Sequence, residues 1–225
     1  MASISLLEIN ITMTMINKDS SYLSGLYAIT HHDQLSDEKL IDDVKRTLSQ
    51  GTKILQYRDK SADQIKQQRQ CLLLRALCDQ YQCLLIINDN VELALHCKAD
   101  GVHLGKTDTD FSQARLELGE KAIIGVSCYN QLQLALAAEK QGADYVAFGR
   151  FFSSLSKPDA KQANIELLQQ AKQNINLPLV AIGGITSDNA SGLLDAGADM
   201  LAVINSIFGQ QDIAKATQQF TTLFK

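Results

Sequence analysis

From Leu26 onward the chain alternates short runs of consecutive apolar residues with longer stretches whose apolar positions recur at helical spacing. The short runs are LYAIT (26–30), KILQY (53–57), LLIIN (84–88), GVHL (101–104), IIGVS (123–127), YVAFG (145–149), LVAIG (179–183) and MLAVI (200–204). Their length and composition predict eight strands. The segments between them, such as 37–50, 62–80 and 130–141, predict helices, with Leu132, Leu134, Leu136 and Ala137 as the apolar positions of the last. Strands that are apolar almost throughout belong to a parallel sheet covered on both faces, and eight βα units suffice to close a barrel. The pattern therefore predicts a single-domain α/β fold, a (β/α)8 TIM barrel over 23–225, preceded by a polar or partly helical extension at 1–22. An open doubly wound sheet is the alternative. It calls for a glycine-rich turn after the first strand, where this chain has Thr30-His31-His32-Asp33.

Composition narrows the function classes. With 45% hydrophobic residues in 225, the chain can bury a full core, and a net charge of -4 argues against nucleic acid or an anionic membrane as partner. No apolar run approaches the ~20 residues of a membrane span. The first 22 residues lack an early positive charge and place Glu8 in their apolar part, a poor secretory signal. Cys71, Cys78, Cys83, Cys97 and Cys128 form neither a CxxC nor a Cys/His cluster, so neither a disulfide framework nor structural zinc is expected, and a cytoplasmic setting fits.

In a barrel of this class the chemistry sits on the loops at the carboxyl ends of the strands, and polar residues gather there. Strand two runs into Gln56, Tyr57, Arg58, Asp59 and Lys60; strand three into Asn88 and Asp89; strand four leads to Asp108. Strand five ends at Ser127, and strand six leads to Ser154, Leu155, Ser156 and Lys157. Strand seven reaches Gly184, and strand eight Ile204 and Asn205. Two carboxylates with several cations are the composition of a phosphate site with a bridging metal: Asp89 and Asp108 can give Mg2+ oxygen ligands, while Arg58, Lys60 and Lys157 neutralise phosphate charge. The IGGI turn and the start of the last helix suit a second phosphate, held by backbone N–H groups. His103, inside an apolar strand, is expected to be a buried, hydrogen-bonded core residue.

QYRDK, the NDNVELAL and ADGVHLGKTD stretches, IIGVS, DYVAFGRFFSSLSK, AIGGIT and AGADMLAVI together resemble the thiamine-phosphate synthase family over about 25–208. The resemblance implies condensation of hydroxymethylpyrimidine diphosphate with thiazole phosphate, with Mg2+, giving thiamine phosphate and pyrophosphate. It implies that Gln56, Arg58, Lys60, Asn88, Ser127 and Lys157 hold the pyrimidine diphosphate, and that Tyr57 and Asp59 of the same segment bind substrate with them. Asp89 and Asp108 would bind metal, and Ser154 to Ser156, Gly184, Ile204 and Asn205 would meet the thiazole phosphate. Arg58, Lys60, Ser127 and Lys157 are the residues expected to serve catalysis. It further implies small-molecule substrates and a homo-oligomer. The chain departs from the family pattern at Ser154-Leu155-Ser156, usually Thr-x-Thr, at Asn205, usually serine, and at Arg150, usually proline, here read as a surface or interface charge. A related thiazole tautomerase and a non-catalytic thiamine-phosphate-binding barrel are the competing readings. The first usually places a histidine shortly after the strand-five serine, where this chain has Cys128-Tyr129-Asn130, and the second should have lost the carboxylates and cations.

Overall fold

The computed structural model describes residues 22–31, 36–105, 109–153 and 161–225. Eight strands close a parallel barrel in sequence order: β1 (Gly25–Ile29), β2 (Ile54–Tyr57), β3 (Leu84–Asn88), β4 (Gly101–Leu104), β5 (Ile123–Tyr129), β6 (Tyr145–Gly149), β7 (Leu179–Ile182) and β8 (Met200–Val203). The helices α1 (Asp37–Leu48), α2 (Gln64–Tyr81), α3 (Val91–Cys97), α4 (Phe111–Leu118), α5 (Leu132–Gln141), α6 (Ile165–Asn174), α7 (Ser191–Asp195), α8 (Asn205–Phe208) and α9 (Ile213–Thr221) follow the strands. Side chains supply the helix starts: Ser36, Asp63, Asn90, Asp110, Asn164 and Asp212 each accept a first-turn backbone N–H. Among the described residues no helix is long and apolar enough to cross a membrane.

Strand residues divide by parity between two cores. Tyr27, Ile54, Leu84, Ile86, Tyr145, Val180 and Met200 fill the barrel, while Leu55, Leu85, Ile87, Val146 and Leu201 face the helices. Two expectations change here. Strand β5 does not stop at Ser127: it runs to Tyr129 through a register irregularity, because Ser127 pairs with Ala147 and Tyr129 with Phe148. In α5 the buried positions are Ala135 and Ala138, with Leu134 exposed, since a helix lying close on the barrel presents small residues to it.

The amino-terminal ends of the strands carry a repeated device. Asp100, Asp144 and Asp199 immediately precede or lie just before β4, β6 and β8, and each carboxylate accepts the N–H of a residue in the preceding strand: Leu85 at 2.7 Å, Ile124 at 2.8 Å and Leu179 at 2.9 Å. Each also holds a cation from the helix before that strand: Arg75 at 2.7 Å, Arg115 at 2.7 Å and Lys172 at 2.8 Å. Polar residues at this end of a barrel serve stability. Asp144→Ala leaves a strand N–H without its acceptor and a largely buried guanidinium without its counter-charge, though Arg115 keeps the Gly119, Ala122 and Gly142 carbonyls, and the loss costs about 2–3 kcal/mol. The expected result is a melting temperature lower by about 4–10 °C with kcat at 25 °C unchanged, read by calorimetry and steady-state kinetics.

Candidate active site

The opposite end of the barrel collects those of the residues expected to act that are among the described residues. Gln56, Asn88, Ser127 and Ile204 continue the inward register of Ile54, Ile86, Ile123 and Met200, so the period of two that fills the barrel also lines its mouth. Just beyond Asn88, Asp89 takes a left-handed backbone with φ 63°, and its N–H donates to the His103 carbonyl at 2.9 Å. A non-glycine residue held there turns its side chain out of the strand direction. The Asp89 carboxylate accepts the Asn88 amide at 2.6 Å and pairs with Lys60 at 2.5 Å, uniting the ends of β2 and β3.

Arg58 is placed by a residue that sequence reasoning passed over. The buried Thr30 hydroxyl accepts the Arg58 N–H at 2.8 Å and donates to the Arg58 carbonyl at 3.2 Å. Tyr57 and Asp59, expected to bind substrate, direct their side chains to α2 and the loop before it. Tyr57 donates to Gln70 at 2.8 Å, and Asp59 pairs with Lys66 at 2.8 Å and accepts the Ser61 N–H at 2.7 Å. Burial alone would raise the Asp59 carboxyl, but Lys66 and the Ser61 N–H outweigh it and hold it below the usual range. These two residues shape the loop from which Arg58 and Lys60 project.

On the far side, Gly183 and Gly184 have φ of 104° and 65°. A Cβ on Gly184 would lie 2.3 Å from the Ser153 carbonyl oxygen, so this glycine lets the end of the β6 loop pack on the β7 turn. Asn189 donates to the Gly184 carbonyl at 3.1 Å and Ser206 to that of Ile185 at 2.6 Å, which fixes the turn against α8. The N–H groups of Asn205 and Ser206 precede the first intrahelical bonds of α8. Arg150, read from the sequence as a surface or interface charge, is half-buried, and its guanidinium donates to the Phe152 carbonyl at 3.4 Å. Burial pushes the Cys128 thiol up to about 12, which disfavours its thiolate at neutral pH. Asp108, expected to bind metal, and the segment Ser154, Leu155, Ser156 and Lys157 lie outside the described residues.

A closed eight-stranded barrel whose polar residues converge on the carboxyl ends of its strands has the form of a TIM-barrel enzyme. Residues 26–207 match the family model described as thiamine monophosphate synthase. The chain is 48% identical over 203 residues to the thiamine-phosphate synthase of Nitrosospira multiformis, covering 90% of this chain and 86% of that one. It is 48% identical over 206 residues to that of Nitrosomonas eutropha, covering 92% and 97%. Among solved structures it resembles thiamine phosphate pyrophosphorylase from Pyrococcus furiosus, with a TM-score of 0.83, 35% identity and coverage of 91% and 97%. The chain belongs to the thiamine-phosphate synthase family and is a transferase of thiamine biosynthesis.

Proposed function

We propose that the residues at the carboxyl ends of the strands carry the reaction of this family in two adjoining halves. The reaction joins hydroxymethylpyrimidine diphosphate to thiazole phosphate and releases pyrophosphate. Arg58, Lys60 and Asn88, with Ser127 and Lys157, hold the diphosphate; Gln56 faces the pyrimidine. The observation that carries this assignment is the Lys60–Asp89–Asn88 cluster at the joined ends of β2 and β3, with Arg58 fixed beside it by Thr30. As pyrophosphate departs, negative charge grows on its bridging oxygen, and fixed cations favour that change over the ground state. The pyrimidine cation left behind is attacked by the thiazole nitrogen, a free nucleophile that needs no general base.

Mg2+ fits the donor set. Among the described residues no three His, Cys, Asp or Glu side chains cluster, but this metal is ordinarily held by one or two carboxylates together with substrate phosphate, which matches Asp89 with Asp108. When bound, it would neutralise diphosphate charge and stabilise the leaving group. Five free, buried cysteines suit a reducing cytoplasm. A homo-oligomer is proposed on the family resemblance.

The thiazole phosphate is assigned to the Gly184 turn, Ile204 and Asn205, with Ser154 to Ser156. The N–H groups of Asn205 and Ser206, ahead of the first intrahelical bonds of α8, supply the attraction and the Asn205 side chain only supplements it. Asn205→Ser should change the KM for thiazole phosphate by less than ~10-fold with the pyrimidine diphosphate saturating. A larger change would place the anion on the side chain. Gly184→Val does not test this point, since its side chain would first meet the Ser153 carbonyl. The assignment as a whole is tested by turnover: both substrates with Mg2+ should yield thiamine phosphate and pyrophosphate in equal amounts, and either substrate alone should yield neither.

A further inference from the structure

A line of hydrogen bonds crosses the barrel beneath the mouth. The Gln56 amide donates to the Tyr27 hydroxyl at 2.7 Å, the Tyr27 and Tyr145 hydroxyls are 2.8 Å apart, Tyr145 is 3.1 Å from His103 Nδ1, and His103 Nε2 is 2.9 Å from the Ser127 hydroxyl. Both tyrosines are fully buried, and burial pushes their hydroxyls far above the usual range, so each keeps its proton. The line is built at the expense of a side chain: a Cβ on Gly125 would lie 1.9 Å from the Tyr145 ring, so glycine in β5 is what admits this phenol. The Tyr145 ring also stacks on His103, with centroids 5.6 Å apart.

Counting donors gives the line a direction. Tyr27 already accepts from Gln56, so its own proton goes to Tyr145. Tyr145 then donates to His103 Nδ1, which must be unprotonated, and the neutral imidazole carries its proton on Nε2 and donates to Ser127. The Ser127 oxygen is thereby occupied as an acceptor, and its O–H is free to turn toward the mouth. If the Gln56 amide is turned over, every bond reverses, His103 carries its proton on Nδ1, and Ser127 must donate back to Nε2. Only the first direction leaves Ser127 a donor toward an anion.

We propose that Tyr27, Tyr145 and His103 are positioning residues that fix Ser127 as a hydrogen-bond donor to the substrate diphosphate, with the orientation of Gln56 setting the direction. This rests on the assignment of Ser127 to the diphosphate. It also couples the two parts of one substrate: the glutamine facing the pyrimidine sets the hydroxyl facing its diphosphate.

The test combines kinetics with the imidazole tautomer. Ser127→Ala should raise the KM for pyrimidine diphosphate about 10- to 100-fold, the value of a hydrogen bond to a charged group, and leave the KM for thiazole phosphate unchanged. Tyr145→Phe should raise the same KM by roughly 3- to 10-fold in the parent protein and by less than about 2-fold when Ser127 is already alanine, because both changes remove one contact. Nitrogen-15 correlation spectra of the unmodified protein, which has four histidines, should show His103 protonated on Nε2, with the signal assigned by its loss in His103→Asn. This measurement stands even if Tyr145→Phe does not fold. Protonation on Nδ1, or additive effects of the two substitutions, overturns the proposal while leaving Ser127 on the diphosphate. An unchanged KM in Ser127→Ala overturns the Ser127 assignment, and the proposal with it.

Discussion

Asp89→Ala is expected to lower kcat/KM by on the order of 10² to 10³, about 3–4 kcal/mol of transition-state stabilisation, in a protein that still folds. The carboxylate is the acceptor for both Lys60 and Asn88, and in the proposed scheme it is also the hard oxygen ligand at the end of β3. It is partly exposed, so its removal orphans no deeply buried group. Alanine also disfavours the left-handed backbone at this position by roughly 1–2 kcal/mol, which belongs to stability and not to catalysis. Asp89→Asn separates the two effects, because asparagine tolerates that backbone while removing the charge; it should lose as much activity as alanine and melt closer to the parent protein. Kinetics across a Mg2+ series, paired with melting curves, checks this. Undiminished turnover of the parent protein in excess chelator would remove the metal from the account.

Lys157→Ala is expected to lower kcat by on the order of 10² while changing the KM for thiazole phosphate little. The lysine follows the serine-rich segment after β6, and in the proposed scheme it meets charge that grows only as the bond to pyrophosphate breaks. A contact made mainly in the transition state appears in kcat, whereas one made equally in the bound substrate appears in KM. Saturation kinetics with each substrate varied in turn distinguishes them. If kcat holds and only the KM for thiazole phosphate rises, the lysine belongs to the other half of the site.

The barrel was legible because consecutive apolar runs and helical periodicity are local signals, and β3, β4 and β6 fall on the expected residues. The places of Gln56, Asn88, Asp89 and Ser127 at the mouth were legible for the same reason, since the end of each apolar run marks it. What the pattern could not supply were relations across the barrel. Tyr27 and Tyr145 read as core residues, yet their hydroxyls meet over 118 positions of sequence, and Gly125 reads as a strand weakness until the ring it admits is known. Thr30 reads as the end of an apolar run, and only the β1–β2 register brings its hydroxyl to Arg58. The repeated Ala-Asp before β4, β6 and β8 is visible in KADG, GADY and GADM, but its meaning depends on an N–H one strand back and a cation one helix earlier. The β5 irregularity also escaped, because an extra residue in a strand leaves apolar content unchanged.

The central claim is that the ends of β2 and β3 hold the metal and the diphosphate together. Crystals grown with pyrophosphate and Mn2+ in place of Mg2+ test it directly, since anomalous scattering locates the manganese without reference to the surrounding protein. The account predicts an anomalous peak about 2.0–2.3 Å from an Asp89 carboxylate oxygen, shared with a pyrophosphate oxygen, with Arg58 and Lys60 on the remaining phosphate oxygens. Pyrophosphate bound away from these side chains, or manganese with no contact to Asp89, would contradict it.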